Sequence, residues 1–229
     1  MPTKRALIIG ASRGLGLGLV REYRARGWEV TGTVRGSAQG AATTPLHAVD
    51  GVTIEHVDIN DHAQVLALRE RLARRNFDLL FVNAGVSNGR GETIGEVTNE
   101  TFFHVMLTNA LSPMRVVEEF GALVPTTGSI AVMSSGLGSV ADNETGGWEV
   151  YRASKAALNT LMRSYAARHA GDPRSFFLIA PGWVRTDMGG PEAHLDVETS
   201  IRGVVDTIAA NGRKPGLHYL NHQGQTVRW

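Results

Sequence analysis

KRALIIGASRGLGLGLVREYRARG, residues 4–27, predicts a buried strand that runs through a glycine-rich turn into a helix. The strand is predicted at 4–9 and contains the apolar run at 6–9, and apolar residues at 17, 20 and 23 share one face of the helix. Gly10, Gly14 and Gly16 allow close backbone approach, and the helix N-terminus offers N–H groups to an anion. Their spacing, G-x-x-x-G-x-G, differs from the commoner G-x-G-x-x-G. The stretch predicts a phosphate-binding turn.

The same turn also matches a hydrolase pattern. Residues 10–14 fit G-x-S-x-G, the strand-to-helix elbow that presents a nucleophilic serine, here Ser12. Such an elbow follows several strands and an oxyanion loop, whereas only nine residues precede Gly10. The order along the chain favours phosphate binding and leaves an α/β-hydrolase-like esterase as an alternative.

Strand and helix patterns alternate along the rest of the chain. Further strands are predicted at 28–34, 52–57, 78–82, 128–133, 175–180 and 217–220. Helices are predicted at 61–75, 98–124, from 151 onward and at 197–210, with a weak helix or loop at 36–50. This alternation predicts an α/β fold with a single doubly wound parallel sheet and helices on both faces. We expect one Rossmann-like, NAD(P)-binding domain over residues 1–229.

Composition excludes several classes of protein. A net charge of +1 provides no basic face for nucleic acid. The absence of cysteine excludes disulfides and thiolate metal sites, and the eight histidines lack ligand spacing, so no metal is expected. The apolar run at 6–9 is too short for a signal peptide or a membrane span. The sequence predicts a soluble cytoplasmic protein without a nucleic-acid or membrane partner.

Tyr151 and Lys155 are four residues apart on a predicted helix and therefore share one face. With 4 tyrosines and 3 lysines in 229 residues, chance predicts roughly 0.05 such pairs, which favours a functional role. An ammonium favours phenolate and lowers a tyrosine pKa that is otherwise near ~10. Such a pair can give a proton to a carbonyl oxygen or take one from an alcohol.

The end of the second strand bears on the choice of dinucleotide. Dinucleotide folds place there either an acid for the ribose 2′-OH or an arginine for a 2′-phosphate. No carboxylate occurs between Glu29 and Asp50, whereas Arg35 ends the strand and Arg13 lies in the glycine turn. The pattern favours NADP(H) and leaves NAD(H) as the alternative.

Pro113 interrupts the helix predicted at 98–124. Proline has no N–H and clashes with the carbonyl of residue i−4, which is Asn109, at a cost of ~3 kcal/mol. We expect a kink there and an Asn109 carbonyl that is free to hold water.

Together these motifs resemble the short-chain dehydrogenase/reductase family over essentially the whole chain. The matching segments are 10–16, Asn83-Ala84-Gly85, Asn109, Ser134-Ser135-x-x-Gly138, Tyr151-x-x-x-Lys155 and Pro181-Gly182 through Thr186. Gly-Gly-Trp before Tyr151, with Pro181-Gly182-Trp183-Val184, is similar to the C-factor and sniffer-type carbonyl reductases.

The resemblance implies an NADP(H)-dependent oxidoreductase that interconverts a ketone or aldehyde with an alcohol, as a homodimer or homotetramer. Tyr151 would be the general acid/base, Lys155 would lower its pKa and hold the ribose, Ser135 would bind the substrate oxygen, and Asn109 would hold a water. The implied cofactor-binding residues are Gly10, Ser12, Arg13, Gly14, Leu15, Gly16, Arg35, Asp58, Ile59, Asn83, Ala84, Gly85, Tyr151, Lys155, Pro181, Gly182, Val184 and Thr186.

Two positions depart from the family pattern. Ile9 stands where the family usually has Thr, which predicts the loss of one local hydrogen bond. The interval from Ser135 to Tyr151 is longer than usual, so Ser134 stays an alternative to Ser135. The short segment 187–196 predicts an open site. A dinucleotide-binding signalling protein with little turnover is the alternative function, although the intact set Asn109, Ser135, Tyr151 and Lys155 favours an enzyme.

Overall fold

The computed structural model describes residues 3–36 and 44–229. Its strands are β1 (Arg5–Ile9), β2 (Glu29–Val34), β3 (Val52–His56), β4 (Leu79–Val82), β5 (Ser129–Met133), β6 (Ser175–Ala180) and β7 (Gly216–Asn221). Its α-helices are α1 (Gly14–Ala25), α2 (His62–Arg71), α3 (Asn99–Met106), α4 (Ser112–Phe120), α5 (Glu149–Arg168) and α6 (Val197–Asn211). Of the segment expected to be weak helix or loop, residues 37–43 lie outside the described residues, and Pro45–Ala48 forms a 3₁₀ helix.

All seven strands are parallel and follow the order β3-β2-β1-β4-β5-β6-β7. The order reverses between β1 and β4, and ligands bind outside the carboxyl ends of strands at such a switch point. The carboxyl ends of β1, β4, β5 and β6 therefore share the edge where the predicted site residues lie. The arrangement confirms the predicted doubly wound parallel sheet.

Helices cover both faces of this sheet because each buries one apolar side. One face packs against α2, α4 and α5, through side chains that include Val65, Leu68, Val116, Val117, Leu158 and Met162. The other face packs against α1 and α6, through side chains that include Leu19, Val20, Ile201 and Val204. Within residues 3–36 and 44–229, no helix is long and apolar enough to cross a membrane.

The helix predicted at 98–124 is interrupted, as expected, but the interruption is a π-helical turn rather than a simple kink. A π-helical turn, Leu107–Leu111, separates α3 from α4, and Pro113 lies in the first turn of α4. The Ser112 N–H bonds to the Leu107 carbonyl, one residue farther back than in an α-helix. Pro113 lacks an N–H, so it cannot donate the α-helical hydrogen bond to the Asn109 carbonyl. Asn109 therefore lies where the regular hydrogen-bond pattern of the helix is interrupted.

Candidate active site

The turn between β1 and α1 requires glycine at two positions. A Cβ on Gly10, where φ is +86°, would lie 2.9 Å from the Ala84 backbone. A Cβ on Gly16 would lie 2.0 Å from the Gly10 carbonyl oxygen. Asn83 Nδ2 donates to that same oxygen at 2.8 Å. The structure thus brings the predicted Asn83-Ala84 pair directly against the glycine turn.

Thr33 is a residue of this turn that sequence reasoning missed. The Gly10 N–H donates to Thr33 Oγ1 at 3.0 Å. Thr33 lies near the end of β2 and is buried. Its hydroxyl supplies a hydrogen bond beside Ile9, where the family pattern predicted that one would be lost. The available signal was a threonine in an otherwise apolar strand end.

The N-terminus of α1 differs from those of α2, α3 and α6. Those three helices are capped by the side chains of Asp61, Thr98 and Asp196. Within the described residues, α1 has neither a side-chain cap nor an acidic residue in its first turn. Its first N–H groups and the positive end of its dipole are therefore available to an anion.

Arg13, on the same turn, forms an ion pair with Asp187, which follows β6. Both side chains are largely exposed, at 69% and 74%. Arg35, the other predicted phosphate ligand, is exposed at the end of β2. An anionic ligand of Arg13 must therefore compete with Asp187, a partner that the sequence did not reveal.

The segment after β6 folds back toward the glycine turn. Thr186 Oγ1 donates to the Val184 carbonyl at 3.3 Å and accepts from the Gly189 N–H at 3.1 Å. The Thr186 methyl group would lie 3.6 Å from a Cβ on Gly14. The Ser200 hydroxyl donates to the Pro181 carbonyl at 2.7 Å. The structure thus places Thr186 beside the turn, and the binding of a cofactor by Val184 and Thr186 stays a prediction.

Asp58 and Ile59 lie away from this centre. They follow β3, at the opposite side of the sheet from β5. The Asp58 carboxylate accepts from the Asn60 N–H at 2.9 Å, and the Ile59 side chain is buried in the core. Their implied role in cofactor binding stays a prediction.

The helix α5 carries Tyr151 and Lys155 one turn apart. Lys155 Nζ lies 5.8 Å from the centre of the Tyr151 ring and donates to the Met133 carbonyl at 2.9 Å. A Cβ on Gly85 would lie 3.5 Å from this ammonium. The carboxyl ends of β4 and β5 thus meet α5 at Lys155.

Asn109 joins this group through its side chain. Its Oδ1 accepts from the Val86 N–H at 2.8 Å, and its Nδ2 donates to the Val86 carbonyl at 2.8 Å and to Ser154 Oγ at 2.9 Å. The side chain is fully buried. It therefore ties the loop after β4 to α5, which leaves the backbone carbonyl as the group available for water.

The two serines after β5 point in different directions. The Ser134 hydroxyl is buried and donates to Asn159 Oδ1 at 2.6 Å. Ser135 Oγ accepts from the Leu137 N–H at 3.1 Å, and its side chain lies close enough to Tyr151 to lower the pKa of that phenol. The geometry therefore brings Ser135, rather than Ser134, to Tyr151.

Burial moves the two titratable groups in opposite directions. It raises the pKa of Tyr151 to about 12, despite the hydrogen bond from Ser135 that lowers it. It lowers the pKa of Lys155 to about 8. The sequence argument expected Lys155 to lower the tyrosine pKa, but loss of hydration is the larger effect. Tyr151 is consequently a protonated acid at neutral pH.

Comparisons with known proteins cover nearly the whole chain. Residues 10–213 match the family model described as Enoyl-(Acyl carrier protein) reductase. A solved structure of a short-chain dehydrogenase/reductase from Burkholderia multivorans with bound NADP is 53% identical, has a TM-score of 0.96 and matches over 100% of both chains. The carbonyl reductase Sniffer of D. melanogaster is 27% identical, with a TM-score of 0.87 over 100% of both chains. The C-signal of Myxococcus xanthus is 36% identical over 154 residues, which are 66% of this chain and 92% of that protein.

Proposed function

Since this chain belongs to the short-chain dehydrogenase/reductase family, we propose that it reduces a ketone or aldehyde to an alcohol with NADPH. One observation carries the proposal: a half-buried, protonated Tyr151 that has Ser135 beside it and Lys155 one turn away. We further propose that residues 1–229 act as one unit, because β1 and β7 belong to the same sheet.

The described residues fit a dinucleotide with a 2′-phosphate. The uncapped N-terminus of α1 suits the pyrophosphate, and Gly10 and Gly16 let the turn pack tightly against Ala84 and against itself. Arg13 and Arg35 present guanidinium groups that form charge-assisted bonds to phosphate. The NADP bound by the Burkholderia multivorans protein, 53% identical to this chain, supports the same preference here. NAD(H) stays the alternative cofactor.

When bound, NADPH supplies the hydride. The Tyr151 hydroxyl gives its proton to the carbonyl oxygen as that oxygen gains negative charge. The Ser135 hydroxyl donates a hydrogen bond to the same oxygen, and the Lys155 ammonium favours the phenolate that Tyr151 becomes. Reduction needs the protonated phenol and is therefore favoured at neutral pH, whereas oxidation needs the phenolate and should rise with pH.

Exposed apolar side chains occur in the segments that follow β4, β5 and β6. Ile94 follows β4, Val140 follows β5 and Trp183 follows β6. The Trp148 ring lies 6.0 Å from the Tyr151 ring, between their centres. An apolar ring beside a site and exposed apolar side chains in the adjoining segments are typical of ligand binding. They support a carbonyl substrate with an apolar substituent.

Tyr151→Phe tests the proposal. The variant keeps the ring and loses the acid, so kcat for carbonyl reduction should fall by ~10² to 10⁴ while NADPH affinity, measured by fluorescence titration, stays nearly intact. Tyr23→Phe is the matched control, because Tyr23 is buried and its hydroxyl has no partner among the described residues. Reduction at the parental rate by Tyr151→Phe would exclude this hydroxyl as the acid.

A regulatory protein is the second candidate, favoured by the similarity to C-signal. In that case the parent protein should bind NADPH and show no turnover across a panel of apolar ketones and aldehydes. Turnover that disappears in Tyr151→Phe separates the two functions. The esterase alternative based on Ser12 loses its support, because the family match is to reductases.

A further inference from the structure

Tyr219, a residue outside every motif of the sequence, lies directly behind Ser135. It stands on β7 and is only 2% exposed. Its hydroxyl donates to the backbone carbonyl of Ser135 at 2.5 Å. Burial raises the pKa of Tyr219, which favours the protonated phenol that donates this bond.

The bond acts at the point where the chain leaves β5. A hydrogen bond to the Ser135 carbonyl fixes the peptide plane that leads into the 3₁₀ helix Gly136–Gly138. The Leu137 N–H of that helix donates to Ser135 Oγ. The orientation of the Ser135 hydroxyl therefore depends on the orientation of the peptide plane whose carbonyl accepts the Tyr219 hydrogen bond.

The Ser135 carbonyl also accepts from the Gly138 N–H at 2.9 Å, a bond within the local 3₁₀ turn, and other bonds hold the neighbouring residues. Ser134 donates to Asn159, and Asn159 Nδ2 donates to the Gly138 carbonyl at 3.2 Å. These contacts join β5 to α5. Tyr219 is the partner that reaches the Ser135 carbonyl from β7, 84 residues away in sequence.

Residues 227–229 fix Tyr219 in turn. The Val227 N–H donates to the Tyr219 carbonyl at 2.9 Å, and the Trp229 ring centre lies 5.4 Å from the Tyr219 ring centre. The Trp229 carbonyl accepts from the Ala141 N–H at 3.0 Å. The same segment therefore holds both Tyr219 and the loop that follows Ser135.

We propose that Tyr219 is a positioning residue for carbonyl reduction, which holds Ser135 so that its hydroxyl faces Tyr151 and the substrate oxygen. This inference rests on the proposed function of Ser135. Tyr219 touches neither substrate nor cofactor in this role; it acts through the Ser135 backbone.

Tyr219→Phe removes the hydroxyl and keeps the ring. Losing one hydrogen bond that orders Ser135 should lower kcat about three- to tenfold, with little change in KM and none in NADPH affinity. Tyr23→Phe, which removes a buried hydroxyl that has no partner in residues 3–36 and 44–229, should keep the parental kcat. Thermal melting of both variants, with assays well below the transition, ensures that folded protein is compared.

A double-mutant cycle with Ser135→Ala identifies the route of the effect. If Tyr219 acts through Ser135, Tyr219→Phe should cost nothing further once the serine hydroxyl is gone. An equal loss in both backgrounds, or no loss in the parent background, would overturn the inference while leaving the proposed function intact. Parental turnover in Ser135→Ala would instead overturn the role of Ser135 itself, and this inference with it.

Discussion

Replacing Lys155 with methionine should change how stability depends on pH. Lys155 is buried, with its ammonium bonded to the Met133 carbonyl, and burial lowers its pKa to about 8 from an ordinary value of 10.5. The unfolded chain therefore binds more protons than the folded chain between these two values. Because stability rises with pH wherever the unfolded state binds more protons, the lysine destabilises the protein below pH 8 and ceases to do so near pH 10.5.

The size of the effect follows from the pKa difference. A shift from 10.5 to about 8 corresponds to about 3 kcal/mol, at ~1.4 kcal/mol for each pH unit. Methionine has a similar length and no charge. The free energy of unfolding of the parent, minus that of Lys155→Met, should therefore increase by about 2–3 kcal/mol from pH 7.5 to pH 10.5.

Urea unfolding at pH 7.5, 9 and 10.5, without added cofactor, measures this difference. Subtracting the variant removes the contribution of other groups that titrate in this range. Lys214→Met is the control, because Lys214 is exposed and its ammonium donates to Asn211 Oδ1 at 2.8 Å, near the end of α6. If the difference in unfolding free energy between the parent and Lys155→Met does not change with pH, the argument that the buried Lys155 ammonium destabilises the fold is refuted.

Three further predictions concern the cofactor and association. Arg35→Asp should weaken NADPH and spare NADH in fluorescence titrations, and an unchanged preference would contradict the 2′-phosphate assignment. Asp187→Asn releases Arg13 from an exposed ion pair. NADPH should therefore bind about two- to fivefold more tightly, as expected for an ion pair worth ~0.2–1 kcal/mol. An equal gain in NADH affinity would contradict competition between Asp187 and the 2′-phosphate for Arg13. Phe103 and Leu161 are exposed on α3 and α5, so light scattering should report a dimer or tetramer that Leu161→Glu dissociates, whereas a monomeric parent at micromolar concentration would oppose this expectation.

The secondary structure was predictable because its signals are local. β6 was predicted at the residues where it occurs, since six buried residues run up to Pro181. The glycine turn and the pair on α5 were likewise set by spacing within a few residues. Pro113 correctly indicated an interruption of the long helix. Its form as a π-helical turn was not predictable, because it depends on how α3 and α4 pack.

The contacts that complete the site join distant parts of the chain. Arg13 and Asp187 are 174 residues apart, and Ser135 and Tyr219 are 84 apart. Thr33 reaches Gly10 from the next strand of the sheet. No spacing rule connects such positions, because the order of the strands in the sheet, rather than their order in the chain, brings them together.

The pKa of Tyr151 shows why the Tyr-x-x-x-Lys spacing alone predicted a pKa shift in the wrong direction. Sequence spacing reveals that Lys155 is near Tyr151, whereas burial, which the spacing does not reveal, raises one pKa to about 12 and lowers the other to about 8. In the resting pair, a buried ammonium faces a neutral phenol and gains little from it. In the proposed reaction the phenol loses its proton, and the ammonium then faces a phenolate in the same low-dielectric surroundings. The free-energy cost of burying the Lys155 ammonium is thus offset only when Tyr151 gives up its proton. The ammonium therefore stabilises the state with a phenolate more than the resting state with a neutral phenol.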